Sequence, residues 1–232
     1  MPIQGAKTLS IERPIRAEMF CGIDEAGRGP VLGPLVVCGV AVDSDDLLRK
    51  MGVKDSKRLS PKKREELEPK ILEAARVEIV TVPAEEIDAV RNEITMNELE
   101  ARVFATIIER LEPTHAFLDA ADANEAEFGR MVVRRLTRPV QITSKHKADD
   151  TYPVVSAASI IAKVNRDRHV RDIEREIGRP IGSGYASDPK TIRFLDNWMA
   201  ENKTLPPHCR RSWCTSQNLM TLKSLKTLDK FE

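Results

Sequence analysis

Residues 19–34 carry the pattern that decides the fold, and they read Met-Phe-Cys-Gly-Ile-Asp-Glu-Ala-Gly-Arg-Gly-Pro-Val-Leu-Gly-Pro. The apolar run 19–23 predicts a first strand that ends at Asp24 and Glu25. A glycine-rich turn follows, and the valine-rich run 35–42 predicts a second strand. The segment therefore predicts a pair of strands, with two acids at the end of the first and a glycine-rich turn between them.

Outward from this pair, predicted strands and helices alternate along the chain. Further strands are expected at 77–82, 115–118 and 139–143, and helices at 96–111, 124–136, 153–176 and 190–201. Ser60 and Pro61 open another helix, in which Pro69 predicts a kink or a restart. Thr95 and Glu98 form a capping-box pattern. The alternation predicts an α/β domain with a mixed sheet.

The length of 232 residues suits one domain with appendages. We divide the chain into an N-terminal extension (1–18), a main domain (19–201) and a basic C-terminal extension with a helix (202–232). The longest apolar run, 30–42, is too short to cross a membrane, and residues 1–18 lack the apolar centre of a secretory signal. We expect a cytoplasmic monomer without membrane contact.

Charge is nearly balanced overall but uneven along the chain. There are 37 basic and 36 acidic residues, a net charge of +1, so the totals give no general affinity for nucleic acid. Residues 145–171 and 203–232 each carry a surplus of basic side chains. Such stretches can line a phosphate track, but on charge alone a solvated helix face is the favoured explanation.

Acidic residues recur where predicted strands end. Asp24 and Glu25 end the first strand, Asp119 ends the strand at 115–118, and Asp149 precedes the long helix. Carboxylates gathered at such an edge repel one another unless cations intervene, and hard oxygen ligands suit Mg²⁺ or Mn²⁺. Two such ions are suited to in-line hydrolysis of a phosphodiester. Taken singly, each acid is also explained as a turn former or a helix cap.

Gly27, Arg28 and Gly29 directly follow the acidic pair. Glycines allow a backbone to approach a substrate closely and present N–H groups to oxygen acceptors, and an arginine between them can pair with a phosphate. The alternative is a plain glycine turn that joins two strands.

Five ordered blocks of sequence together resemble type 2 ribonuclease H (ribonuclease HII) in its archaeal form. The blocks are Gly22-Ile23-Asp24-Glu25-Ala26-Gly27-Arg28-Gly29-Pro30, Asp55-Ser56-Lys57-Arg58-Leu59, Asp119-Ala120-Ala121-Asp122, Lys145-His146-Lys147-Ala148-Asp149-Asp150 with the following helix, and Gly182-Ser183-Gly184-Tyr185-Ala186-Ser187-Asp188-Pro189. The resemblance implies a ribonuclease H-like fold, a mixed five-stranded sheet flanked by helices. It also implies cleavage of RNA in RNA–DNA hybrids, and nicking of DNA on the 5′ side of embedded ribonucleotides to leave 5′-phosphate and 3′-hydroxyl ends.

The resemblance also assigns residues by position. It implies that Asp24, Glu25, Asp119 and Asp149 bind the catalytic metals, with Asp122 and Asp150 as neighbours outside the set. Substrate contacts are implied for the remaining candidates, Gly27, Arg28, Gly29 and Tyr185, and more weakly for Lys57, Lys145, His146 and Lys163. Gly27 to Gly29 would meet the ribonucleotide 2′-hydroxyl, the group that distinguishes RNA from DNA locally.

The C-terminal residues 226–232 resemble a peptide that binds a sliding clamp, with Leu225 where such peptides carry glutamine and Phe231 as the one aromatic residue. A frayed tail is the alternative. For the whole chain, the alternative functions are a non-catalytic hybrid-binding protein and a different nuclease on the same fold. The four acids argue against the first alternative. The second is disfavoured by the loop between the first two strands (27–34, the glycine-rich loop) and by the segment around Tyr185 (182–189, the tyrosine loop).

Overall fold

The computed structural model describes residues 18–53 and 59–228. Five strands form one sheet in the order β3-β2-β1-β4-β5. The strands are β1 (Phe20–Ala26), β2 (Leu35–Val42), β3 (Arg76–Val82), β4 (His115–Asp119) and β5 (Gln141–Lys145). The first three are antiparallel neighbours, whereas β4 and β5 run parallel to β1. The mixed five-stranded sheet is as predicted.

Helices cover both faces of this sheet. Their bounds are α1 (Asp46–Met51), α2 (Pro61–Ala74), α3 (Ala84–Val90), α4 (Met96–Leu111), α5 (Glu125–Val133), α6 (Ala148–Thr151), α7 (Pro153–Ile177), α8 (Pro189–Asn202) and α9 (Cys214–Leu228). Side chains of α4 and α5 form one apolar core with the sheet, and side chains of α1, α2 and α7 form a second core on the opposite face. Because β2 lies between both cores, all eight of its residues are buried.

Local sequence signals set several element boundaries. The predicted capping box at Thr95 and Glu98 is present, and Ser60 accepts a hydrogen bond from the Lys63 amide at the start of α2. Helix α2 runs through Pro69 without a restart. None of the described helices is both long enough and apolar enough to cross a membrane.

One prediction about the first strand was wrong. Instead of ending at Asp24, β1 continues to Ala26, so the acidic pair lies inside the strand. The reason is pairing with β2, in which Asp24 lies opposite Cys38 and Ala26 opposite Val36. Ladder hydrogen bonds to a neighbouring strand therefore override the local polarity of two acids.

Close approach between β1 and α7 fixes the centre of the fold. A Cβ atom added at Gly22 would lie 2.2 Å from the carbonyl carbon of Val154 and the amide of Val155. Only glycine permits the helix to lie so near the strand. The first turns of α7 therefore sit directly over the part of β1 that leads into Asp24.

A third apolar core joins the end of α7 to the C-terminal part of the chain. It contains Val31 and Leu32 from the loop after β1, with Ile173, Phe194 and Cys209 among its other members. The predicted division at residue 202 stays a prediction. Residues beyond it nevertheless contact the loop directly, since the Arg210 amide donates to the Val31 carbonyl at 2.8 Å.

Candidate active site

Three carboxylates from separate elements converge at one edge of the sheet. Asp24 lies in β1, Asp119 ends β4 and Asp149 lies in the short helix α6. Each of the three offers an oxygen atom, and these atoms all lie within 4.8 Å of one another. Asp24 and Asp119 directly follow Ile23 and Leu118, which are register partners in the parallel pair β1–β4. Parallel pairing therefore brings the first two acids side by side.

Hydrogen bonds hold this cluster in place. The Ala148 amide donates to Oδ1 of Asp119 at 3.1 Å, which ties α6 to the end of β4 and brings Asp149 close. The hydroxyl of Ser159 donates to Asp24, and Nζ of Lys163 donates to that hydroxyl. Residues of α7 thus support Asp24 from one side, and Lys163 brings a positive charge near the three acids.

Burial makes the cluster unfavourable when it is fully ionised. Asp24 is 5% exposed and Asp149 is 2% exposed. Burial and, next, the charge of Asp119 raise the pKa of Asp24 to about 7, although the hydrogen bond from Ser159 opposes the rise. Buried carboxylates that repel one another are stabilised in the ionised form when a cation is bound between them.

Glu25 adds a fourth carboxylate beside the cluster. Burial raises the pKa of Glu25 well above its usual range, and the charges of Asp24 and Asp119 raise it further. Its Oε2 atom is buried and has no hydrogen-bond partner among the described residues. A buried, unpartnered carboxylate oxygen next to three others is a donor set that fits a hard divalent cation.

The glycine-rich loop continues from this acidic edge. Gly27 has a φ of +86°, and a Cβ atom there would lie 2.5 Å from the Pro34 carbonyl oxygen and 2.6 Å from Nε of Arg166. Both the backbone conformation and the close contacts therefore require glycine. Gly29 is less restricted, because the nearest atom to an added Cβ would be Cε1 of Tyr185 at 3.8 Å.

The tyrosine loop lies against the glycine-rich loop. The Gly184 carbonyl accepts hydrogen bonds from the amides of Val31 at 2.8 Å and Leu32 at 3.1 Å. Arg166 donates to the Ser183 carbonyl at 2.9 Å, and its guanidinium lies 5.1 Å from the centre of the Tyr185 ring. Tyr185 is 37% exposed, so its ring is available to a ligand.

A cleft of about 340 Å³ joins the two loops to the acidic edge. Four of the predicted site residues line it together with Glu25, namely Gly27, Arg28, Lys163 and Tyr185. Arg64, Arg166, Asp167 and Ser183 also line it. The cleft therefore places acids, a glycine-containing backbone segment, basic groups and an exposed aromatic ring around one space.

The side chain of Arg28 has partners within the protein. Its guanidinium donates to Oδ1 of Asn97 at 2.6 Å and forms an ion pair with the fully buried Glu100. Asn97 in turn donates to Asp122, which also accepts from the Asn124 amide. With 33% of its side chain exposed, Arg28 still borders the cleft, and a phosphate contact for it stays a prediction.

Two of the weaker candidates, Lys145 and His146, are not brought to this cleft. Nζ of Lys145 lies 5.8 Å from the centre of the Tyr152 ring. The ring nitrogens of His146 contact the carbonyls of Ala120 and Ala123 at 3.3 Å. Lys57 lies outside the described residues, as do the N-terminal extension up to residue 17 and the last four residues of the proposed clamp-binding tail. Roles for these residues in substrate binding stay predictions.

Sequence reasoning missed two arginines beside the cleft. Arg64 in α2 lines it and lies 3.5 Å from Asp167. Arg210 is fully buried behind the glycine-rich loop and donates to its backbone carbonyls. For Arg210 the sequence offered only a position within a basic stretch, which is more typical of an exposed surface.

Comparison with known proteins agrees with this geometry. The ribonuclease HII family model matches residues 21–216. The chain is 46% identical to the ribonuclease HII of Methanoregula boonei over 213 residues, which cover 92% of this chain and all of that protein. Two solved structures are similar at a TM-score of 0.81. One is the PCNA:RNase HII complex from Archaeoglobus fulgidus, 44% identical over 86% of this chain and 96% of that one. The other is the ribonuclease H2 of Pyrococcus horikoshii, 38% identical over 88% and 98%.

Family and site point to the same chemistry, since the matched range 21–216 contains the three clustered acids, and their carboxylates suit divalent cations. The chain therefore belongs to the ribonuclease HII family of metal-dependent endoribonucleases, which hydrolyse the RNA strand of RNA–DNA hybrids.

Proposed function

We propose that this chain nicks duplex DNA on the 5′ side of a single embedded ribonucleotide, in addition to cleaving longer RNA–DNA hybrids. The observation that carries the proposal is the position of the acidic cluster beside a cleft lined by Gly27, Arg28 and Tyr185. Carboxylates at one end supply a site for hydrolysis, and the two loops at the other end supply contacts to one sugar and its phosphates.

Asp24, Glu25, Asp119 and Asp149 would hold two divalent ions, Mg²⁺ or Mn²⁺. When bound, such ions lower the pKa of the attacking water and neutralise charge on the scissile phosphate. The protein contributes in two ways. It holds four carboxylate side chains at one edge of the sheet, and it keeps them ionised. Ser159 and Lys163 contribute to the second task, because both lower the pKa of Asp24.

The reaction is an in-line displacement at phosphorus. A water oxygen forms the new bond to the phosphorus on the 5′ side of the ribonucleotide, and the bond from phosphorus to the preceding 3′ oxygen breaks. The attacking water gives up a proton and the leaving oxygen takes one up, so the products carry a 5′-phosphate and a 3′-hydroxyl. Gly27 to Gly29 hold the ribonucleotide by its sugar and phosphate, while the exposed ring of Tyr185 packs on the neighbouring sugar.

The test uses a labelled DNA duplex that contains one internal ribonucleotide, with an all-DNA duplex of the same sequence as control. We expect nicking only of the first duplex, only with Mg²⁺ or Mn²⁺, and with the label ending immediately 5′ of the ribonucleotide. Asp149→Asn should abolish nicking. Asp150→Asn is the matched control, because it removes the adjacent charge from an exposed position outside the cluster, and it should retain nicking.

Two outcomes would contradict the proposal. Nicking of long hybrids without nicking at a single ribonucleotide would limit the chain to hybrid cleavage. Binding of both substrates without cleavage, with either metal, would favour a non-catalytic hybrid-binding protein.

A sliding clamp is a proposed partner. Support comes from the relative in Archaeoglobus fulgidus, which was solved as a complex with PCNA, and from the sequence of residues 226–232. Deletion of residues 226–232 should abolish co-elution with a clamp while leaving nicking of short duplexes unchanged. Unaltered co-elution would remove the tail from this role.

We also place the protein in the cytoplasm, where a prokaryotic genome would supply its substrate.

A further inference from the structure

Arg210 is a fully buried arginine whose hydrogen bonds go to backbone carbonyls of the glycine-rich loop. Its guanidinium donates to the carbonyls of Gly27 at 2.5 Å, Arg28 at 2.8 Å and Gly33 at 3.0 Å. Burial and, next, the charge of Arg166 lower the pKa of Arg210 to about 9. Burial of a charge is unfavourable unless the group is hydrogen-bonded or paired, so packing alone does not explain an arginine at this position.

The direction of these hydrogen bonds determines the direction of the loop amides. In a trans peptide group the carbonyl oxygen and the amide hydrogen point to opposite sides. Arg210 draws the carbonyls of Gly27 and Arg28 toward the protein interior, so the amides of Arg28 and Gly29 point away from it. Because Gly27 and Arg28 line the cleft, these amides face the space where a substrate binds.

Trp213 extends this contact by one residue. Its Nε1 donates to the Gly29 carbonyl at 3.1 Å, and its ring lies 4.8 Å from the guanidinium of Arg210. Arg210 and Trp213 thus hold the carbonyls of three consecutive residues, Gly27 to Gly29. The peptide after the Gly29 carbonyl ends at Pro30, which has no amide hydrogen, so Trp213 fixes the end of the loop and orients no further amide. The two amides that Arg210 orients can together form a concave site for an oxygen atom.

We propose that Arg210, supported by Trp213, is a positioning residue for ribose recognition, because it sets the two peptide planes that join Gly27 to Gly29 so that the amides of Arg28 and Gly29 face the sugar and phosphate oxygens. This inference rests on the proposed function of the same loop. Arg210 does not touch the substrate, and its effect passes entirely through the backbone that does.

The experiment measures ribose discrimination, defined as the ratio of the dissociation constants of an all-DNA duplex and the same duplex with one ribonucleotide. Measurements are made with Mg²⁺ in an Asp24→Asn background, in which turnover is blocked. We expect Arg210→Met to lower the ratio about tenfold or more, because it removes several hydrogen bonds to the loop. Trp213→Phe removes one hydrogen bond and should lower the ratio about two- to fivefold. Arg210→Lys keeps the charge and some donors and should give an intermediate ratio.

Trp198→Phe is the matched control for Trp213→Phe. Both tryptophans pack against the third apolar core, but the Trp198 ring contacts Phe194 and Arg179. Trp198→Phe should leave the ratio of dissociation constants unchanged, even if it lowers the melting temperature. The melting-temperature rise on adding Mg²⁺, measured with Asp24 intact, should be the same in the Arg210 and Trp213 variants as in the wild type.

An unchanged ratio in folded Arg210→Met would overturn the proposal. If Arg210→Met does not fold, an unchanged ratio in both Trp213→Phe and Arg210→Lys would overturn it equally. A parent protein that does not distinguish the two duplexes would contradict the proposed function itself, and this inference would fall with it. A parent that distinguishes them while every variant does so equally well would contradict the role of Arg210 alone.

Discussion

The acidic cluster and the glycine-rich loop are neighbours at the end of β1, but the fold supports them in opposite ways. In the cluster, Asp24, Asp119 and Asp149 are held together against their mutual repulsion. In the loop, the carbonyls of Gly27 to Gly29 are all satisfied by side chains from the C-terminal segment. The first region is completed by a cation, whereas the second is completed by the protein itself.

This difference predicts how the two regions respond to substitution. Changes in the cluster should remove activity while leaving the stability of the metal-free protein intact or higher. Changes in the loop should lower stability and substrate recognition together, since the same contacts support both.

The largest expected effect is that of Asp24→Asn on turnover. The substitution keeps the size of the side chain but removes a ligand charge, so we expect the single-turnover nicking rate to fall about 10³-fold or more. Circular dichroism should show an unchanged fold. A rate within tenfold of wild type at saturating Mg²⁺ would contradict the assignment of Asp24 to the metal site.

Gly27→Ala should lower the free energy of unfolding by about 2–4 kcal/mol. The added methyl group meets the Pro34 carbonyl at 2.5 Å, and the backbone has a positive φ. Gly29→Ala is the matched control, with its nearest contact at 3.8 Å, and should cost less than about 1 kcal/mol. Urea denaturation measures both values. Equal losses at the two positions would show that the contacts behind Gly27 do not support the loop.

The pH dependence of stability should separate the cluster from the loop. Without metal, the pKa of Asp24 is raised from 3.8 to about 7, so the folded state binds more protons than the unfolded state between these values. Stability from the protonated form is therefore full below about pH 4 and is lost as the pH rises to about 7.

Relative to Asp24→Asn, the metal-free wild type should lose about 1–3 kcal/mol across this range. Denaturation in EDTA at several pH values tests the difference, and added Mg²⁺ should reduce it. If the free energy of unfolding changes with pH in the same way in both proteins, ionisation of Asp24 does not destabilise the metal-free fold.

The smallest expected effect is that of Tyr185→Ala on substrate preference. Loss of one aromatic contact should lower the preference for a single embedded ribonucleotide about five- to tenfold. The metal-induced rise in melting temperature should stay as in wild type, because Tyr185 lies outside the cluster. Tyr185→Phe keeps the ring and should retain most of the preference. An equal loss on long hybrids and on single ribonucleotides would argue against a specific contact to the sugar.

Local sequence patterns predicted most of the sheet and the longest helices. The Thr95 capping box placed α4 correctly, and the small apolar residues after Pro153 predicted the buried start of α7. Errors arose where pairing decided the outcome, as at the end of β1, which β2 extends to Ala26. A strand boundary depends on the neighbouring strand, and the residues of one segment do not contain that information.

The sequence by itself was enough to identify the family of metal-dependent endoribonucleases, because the acids, the glycine-rich loop and the tyrosine loop lie in short motifs at recognisable spacing. Only the tertiary structure decided how the loop is held. Arg28 and Arg210 are 182 residues apart, and the contact between them becomes visible when the C-terminal segment packs behind the loop. A buried arginine and a solvated one look alike in sequence, since burial depends on which distant segments fold against it.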